Sequence, residues 1–127
     1  MMIFGIGIDV VEIERIGALL DRYEDRFAEK VFTKSERDYC WSQRDSRPHF
    51  AARFAAKEAV AKAFGTGVGK DLNWTDMEIS RDDLGAPKLR LMGAGAAFAE
   101  SRGIRQVMIS LTHAKAYAAA NAVALME

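Results

Sequence analysis

Eighteen residues, FAARFAAKEAVAKAFGTG from Phe50 to Gly67, constrain this chain more than any other stretch. They read as one helix without the polar face of a surface helix. Ala, Phe and Val recur all the way round it. Such a helix is covered by protein from several directions. It nevertheless carries Arg53, Lys57, Glu58 and Lys62. Charges persist on a buried helix only when they are paired, bound to an ion or turned toward a cleft. Glu58 and Lys62 stand one turn apart, on the side of Phe54, Ala51 and Gly65. This places Glu58 at the centre of a candidate site lined by the helix.

The first strand supplies a partner. Ile3 to Val11 alternates, with Phe4, Ile6, Ile8 and Val10 on one face and Ile3, Gly5, Gly7, Asp9 and Val11 on the other. Two glycines on one strand face predict the close approach of a backbone or a ligand. Asp9 shares that face and has two readings: a cap for the following helix, or a carboxylate turned toward whatever approaches. If the helix packs on the glycines, Asp9 and Glu58 meet. Two close carboxylates need a shared proton or a cation. Mg²⁺ suits one or two carboxylates with water and phosphate oxygens. Cys40, His49 and His113 lack zinc spacing. Lys57 and Lys62 beside such a site suit an anionic substrate. The alternative is an i, i+4 ion pair of Glu58 with Lys62 and a purely capping Asp9.

The remaining elements follow in order. Glu12 to about Phe27 reads as an amphipathic helix, with Arg15, Arg22 and Arg26 in a narrow arc beside Leu19. That stripe is either a solvated face or a docking face for an acidic helix, since guanidinium binds carboxylates bidentately. Thr33-Lys34-Ser35-Glu36 is a capping box opening a helix to about Gln43. Ser46 and Pro48 suit the start of the next helix, and Gly65 and Gly67 its end. Residues 65–70 follow their helix, so they are not a P-loop. Trp74–Ser80 and Lys88–Met92 read as a hairpin, Gly93–Arg102 as a helix and Ile104–Leu111 as a strand. Thr112–Lys115 reads as a turn and Tyr117–Met126 as a strand, with helix as an alternative because of its five alanines. This order predicts one α+β domain over residues 1–127, a largely antiparallel sheet packed with a long central helix.

Composition narrows the function classes. Acids and bases balance at 18 each, so no bulk charge points to nucleic acid or membrane. A single cysteine permits no intrachain disulfide and favours a cytoplasmic setting. The N-terminus has no basic leader, and Asp9 interrupts its apolar run, so neither a signal peptide nor a membrane span is expected. From the residues alone the chemistry is Mg²⁺-dependent work on a phosphoanhydride. A phosphohydrolase using the same two carboxylates and a non-catalytic binding protein are the competing classes.

GIGIDVVEIERI at 5–16, FAARFAAKEAVAKAFGTG at 50–67 and SLTHAKAYAAA at 110–120 together resemble the holo-[acyl-carrier-protein] synthase family of short 4′-phosphopantetheinyl transferases. The resemblance implies that family's fold. It implies transfer of 4′-phosphopantetheine from coenzyme A to a serine of acyl carrier protein, releasing adenosine 3′,5′-bisphosphate. Asp9 and Glu58 would hold Mg²⁺, with Mn²⁺ as the alternative. Lys62 would stand near the reacting phosphate, and Glu58 would take the serine proton directly or through a water. Arg53, Lys57, Lys62 and Gly65 would meet coenzyme A. Gly85, Pro87, Thr112 and His113 would line its nucleotide pocket from a neighbouring chain of a homotrimer. Arg15, Arg22, Arg26 and Phe27 would hold the carrier protein.

Overall fold

A computed structural model describes residues 2–23 and 25–126. Strand β1 (Met2–Glu12) is followed by helices α1 (Ile13–Tyr23), α2 (Asp25–Val31), α3 (Lys34–Ser42) and α4 (Ser46–Phe64). After a 3₁₀ turn at Trp74–Asp76 come the hairpin strands β2 (Met77–Arg81) and β3 (Pro87–Leu91), helix α5 (Gly93–Ser101), and strands β4 (Ile104–His113) and β5 (Tyr117–Met126). The main sheet has the order β1-β5-β4, antiparallel throughout, and β2 pairs with β3 separately. The α+β class with an antiparallel sheet and a long central helix is therefore as predicted.

Helix α4 lies across the inner face of the sheet, and small side chains set how near it comes. Ala118, Ala120, Ala122 and Ala124 of β5 are buried beneath it. On the helix side Ala55, Ala56, Ala59, Val60 and Ala63 are buried as well. The β5 alanines thus belong to a strand, because tertiary packing on a small-residue face outweighs their helix preference. The approach is closest at β1. A Cβ on Gly5 would lie 2.0 Å from the Ala63 carbonyl oxygen, and one on Gly7 would lie 1.9 Å from that of Ala59. Only hydrogen fits there.

The ends of α4 are chemically defined. Asp45 is the N-cap, its carboxylate accepting from the Arg47 amide. The helix therefore opens at Ser46, one turn earlier than the apolar run suggests. Gly65 closes it at φ 77°, donating its amide to the Ala61 and Lys62 carbonyls. The capping box at Thr33 and Glu36 forms as expected.

Several expectations need correction. Glu12 still belongs to β1 and not to the helix, and helix is described over Ile13–Tyr23 and Asp25–Val31, with Glu24 outside the described residues. Trp74–Asp76 is a 3₁₀ turn because Asn73 and Asp76 cap it reciprocally. Thr112 and His113 are not a turn but the end of β4, paired with Ala119 and Ala118.

The outer face of the sheet is apolar yet uncovered. Ile6, Ile8 and Val10 are 69%, 65% and 59% accessible, and Met108 on β4 is 55% accessible. No helix of the described residues is long and apolar enough to cross a membrane.

The glycine contacts predict a contrast. Gly7→Ala should lose about 3 kcal/mol in urea unfolding, because the new methyl meets a helix carbonyl that cannot retreat without moving the whole helix. Gly69→Ala meets nothing within 4 Å and should change stability by less than about 0.5 kcal/mol. Equal losses at the two positions would refute this account of the packing.

Candidate functional site

The close packing of β1 on α4 brings Asp9 to the helix one turn before its C-terminus. The Lys62 ammonium donates to Asp9 Oδ1 at 3.1 Å and to the Ile8 carbonyl at 2.9 Å. Asp9 is therefore not a helix cap: it sits mid-strand opposite Ala120, three residues before β1 ends. Lys62 pairs with Asp9 and not with Glu58 one turn before it. Glu58 is half-buried on the same side. Burial, first, and the Asp9 charge, second, push its carboxyl above the usual carboxylate range, while Lys62 and Arg15 pull it back. Arg15, exposed on α1, is thus close enough for its charge to be felt at Glu58.

Two neighbouring carboxylates that already attract a cation fit a divalent metal. The described residues contain no group of three or more His, Cys, Asp or Glu side chains that would form an all-protein cage. Asp9 and Glu58 would supply two ligands, leaving positions for water and substrate oxygens, as Mg²⁺ prefers.

Lys57, the residue next to Glu58, goes elsewhere, and its expected contact with an anionic substrate is corrected. It is wholly buried, on a face of α4 about 100° round from Glu58. Its ammonium donates to Glu36 Oε1 at 2.6 Å, the Val31 carbonyl at 2.8 Å and the Trp74 carbonyl at 3.1 Å. All three donors are taken. Burial lowers its pKa, and the Glu36 charge opposes that shift. Glu36 in turn accepts from the amides of Thr33 and Ile79. One ion pair therefore ties α4 to α2, α3, the 3₁₀ turn and β2. The capping-box pattern marked Glu36 in the sequence but gave no hint of this second use.

Arg53 is also buried, its guanidinium 4.5 Å from the Tyr39 ring centre. Unlike Lys57 it keeps unused donor capacity. Its Nε has no hydrogen-bond partner, and its Nη1 reaches only the His49 carbonyl at 3.4 Å. The His49 and His113 rings meet edge to face at 5.7 Å. That contact, joining α4 to the end of β4, was not predicted. Gly85 turns the hairpin at φ 86°, and Pro87 opens β3. Arg81 donates to the Gly85 carbonyl at 2.7 Å, and its charge reaches His49.

The predicted residues therefore fall into separate groups. Asp9 lies on the edge strand β1, while Thr112 and His113 lie on β4, the opposite edge. Two strand spacings separate the edges by on the order of 10 Å. Gly65 closes the helix near Lys62. The arginines form the third group. Arg15 and Arg22 are exposed on α1 and Arg26 on α2. The guanidiniums of Arg22 and Arg26 stand 5.2 Å and 5.9 Å from the Tyr23 ring centre. A shallow groove lined by Tyr23, Arg26, Phe27 and Lys30 lies at Arg26.

Residues 5–122 match the sequence pattern of the 4′-phosphopantetheinyl transferase superfamily. The holo-[acyl-carrier-protein] synthase of Ruminiclostridium cellulolyticum is 45% identical over 119 residues, 93% of this chain and 89% of that protein. The enzyme of that name from Chlamydia trachomatis serovar L2 is 46% identical over 95% of this chain and 98% of its own. Among solved structures, the holo-[acyl-carrier-protein] synthase of Neisseria meningitidis superposes with a TM-score of 0.92 at 34% identity, covering 98% of this chain and 99% of that one. The Helicobacter pylori enzyme, solved in complex with coenzyme A, superposes at 0.85 and 32% identity, covering 94% and 99%.

The buried ion pair makes its own prediction. Lys57→Met should cost about 3–5 kcal/mol in chemical denaturation, because it strands the Glu36 carboxylate without its counter-ion. Adding Glu36→Gln should return at least about 1 kcal/mol, since a neutral amide needs no counter-ion. A double variant no more stable than Lys57→Met would contradict this account.

Proposed function

The chain belongs to the 4′-phosphopantetheinyl transferase superfamily, in its holo-[acyl-carrier-protein] synthase family, and on that premise we propose how its residues carry the reaction. The enzyme moves the 4′-phosphopantetheine arm of coenzyme A to a serine of apo acyl carrier protein. The observation that carries the site assignment is the cluster of Asp9, Glu58 and Lys62 beside the exposed arginine face.

In the proposed reaction the serine oxygen attacks the phosphorus that bears the pantetheine arm. The bond from that phosphorus to the bridging oxygen breaks, and adenosine 3′,5′-bisphosphate leaves. A serine hydroxyl is a weak nucleophile until a base removes its proton. Glu58 takes that proton, directly or through a water. Mg²⁺ held by Asp9 and Glu58 would neutralise charge on the pyrophosphate. Lys62 supplies a further positive charge to the phosphoryl oxygens.

The arginine face suits the acidic surface of a carrier protein. Arg15, Arg22 and Arg26 offer forked donors to carboxylates, and Phe27 gives them an apolar floor. Because Arg15 also acts on Glu58, a serine presented on this face arrives next to the base.

The nucleotide end is assigned to Gly85, Pro87, Thr112 and His113 of a neighbouring chain, with Arg53 and Gly65 as further contacts to coenzyme A. Since β1 and β4 are opposite edges of the sheet, one complete site would join the β1 edge of one chain to the β4 edge of the next. The exposed Ile6, Ile8, Val10 and Met108 support such an assembly, because an apolar patch of this kind marks an interface. A homotrimer is the closed form we propose.

Mass spectrometry of apo carrier protein after incubation with coenzyme A and Mg²⁺ tests the reaction. The expected result is a mass increase of one phosphopantetheine, lost with chelator and reduced at least about a hundredfold in rate by Glu58→Gln. Phosphate release without a change in carrier mass would favour a hydrolase instead. The shared site is tested by co-expressing Asp9→Asn with His113→Ala, each inactive alone. Random assembly should restore about a quarter of native activity. No recovery from a properly mixed oligomer would place each site within one chain.

A further inference from the structure

Lys62 combines two features that rarely go together. Its side chain is 54% exposed, yet its ammonium is drawn inward to two acceptors, Asp9 Oδ1 at 3.1 Å and the Ile8 carbonyl at 2.9 Å. Holding a long, solvent-facing lysine costs rotamer entropy, and an isolated exposed pair seldom offsets it. Here the acceptors are not isolated. Asp9 is only 16% exposed, Glu58 adds a second carboxylate, and the backbone carbonyl fixes the direction of the third group. The ammonium thus lies in the negative pocket where a divalent ion would bind.

A metal ligated by Asp9 needs the same carboxylate. An ammonium about 3 Å from that oxygen would stand within a few ångströms of a doubly charged ion, which repels it strongly. Resting on the metal reading given above, we propose that Lys62 is a built-in competitor for the metal site. It holds Asp9 in the free enzyme and leaves when a phosphate-bearing substrate offers its ammonium other oxygens. Metal and substrate then load together: the metal binds weakly to the free enzyme, and substrate strengthens metal binding partly by drawing Lys62 away. The same lysine serves successively as placeholder and as phosphate ligand.

Mn²⁺ titration followed by the electron paramagnetic resonance of free Mn²⁺ tests this without relying on turnover. Without coenzyme A, Lys62→Met and Lys62→Gln should bind Mn²⁺ about five- to tenfold more tightly than the native chain, while transfer activity falls. Arg15→Met is the electrostatic control. It removes a cation felt at Glu58 but leaves the Asp9 contact intact, and should tighten binding less than about twofold. The tightening that coenzyme A confers on Mn²⁺ should be smaller in Lys62→Met than in the native chain. Circular dichroism checks that each variant is folded. Equal Mn²⁺ affinity in native and Lys62 variants, or equal tightening by Arg15→Met, overturns the proposal and leaves the metal site standing. Failure of every protein, native included, to bind Mn²⁺ with or without coenzyme A overturns the metal reading itself.

Discussion

The structure depends on one close contact, the backbone of β1 against the backbone of α4. At Gly5 and Gly7 the helix carbonyls come so near that no side chain fits between them. Hydrophobic burial alone does not require this. A strand of valines would bury more apolar area and hold the helix farther off. The glycines, with the alanine row of β5 beside them, give up side-chain contact in exchange for proximity. What proximity provides is the juxtaposition of Ile8 and Asp9 with Glu58 and Lys62. The candidate site is a consequence of how thin the packing layer is.

Once the helix is that close, its rotation decides which charges meet. Lys57 and Glu58 are neighbours in sequence and turn about 100° apart. Lys57 enters the protein and is fully satisfied by Glu36 and two carbonyls. Glu58 remains half-buried beside Asp9. The buried ion pair need not add net stability, since desolvating two charges offsets much of their attraction. Its geometry is nonetheless demanding, because three acceptors from three segments surround one ammonium. A helix rotated by one residue would strand that ammonium and turn Glu58 away from Asp9. The network thus fixes the angular setting on which the candidate site depends.

The other half of the proposed site follows from strand order. With β5 in the middle, β1 and β4 become edges, and residues carried by them cannot converge within one sheet. The same order leaves an outer face of Ile6, Ile8, Val10 and Met108 without cover. Both features fit the neighbouring chain of the proposed assembly. The contact between His49 and His113 gives the β4 end its own tie to α4, independent of the carboxylate cluster at the helix's other end.

Much of this was legible in the sequence. The all-round apolar helix, the glycine face of the first strand, the capping box and the Gly65 stop are local patterns with local physical causes, and each forms, the helix opening one turn before its apolar run. Glu58 and Asp9 stood out because a carboxylate among small apolar residues needs a reason. The sequence left open which partner each charge would take. Lys57 and Lys62 sit on the same helix and carry the same charge, yet one meets Glu36, 21 residues away, and the other Asp9, 53 residues away. Those distances along the chain are closed only by the fold. Helix propensity in the β5 alanines and apparent turn character at Thr112 and His113 gave way for the same reason. Residue pattern determined which faces must be covered and where backbones could touch. Tertiary structure alone decided which surfaces did the covering, because pairing energies at a distance depend on geometry that no local stretch encodes.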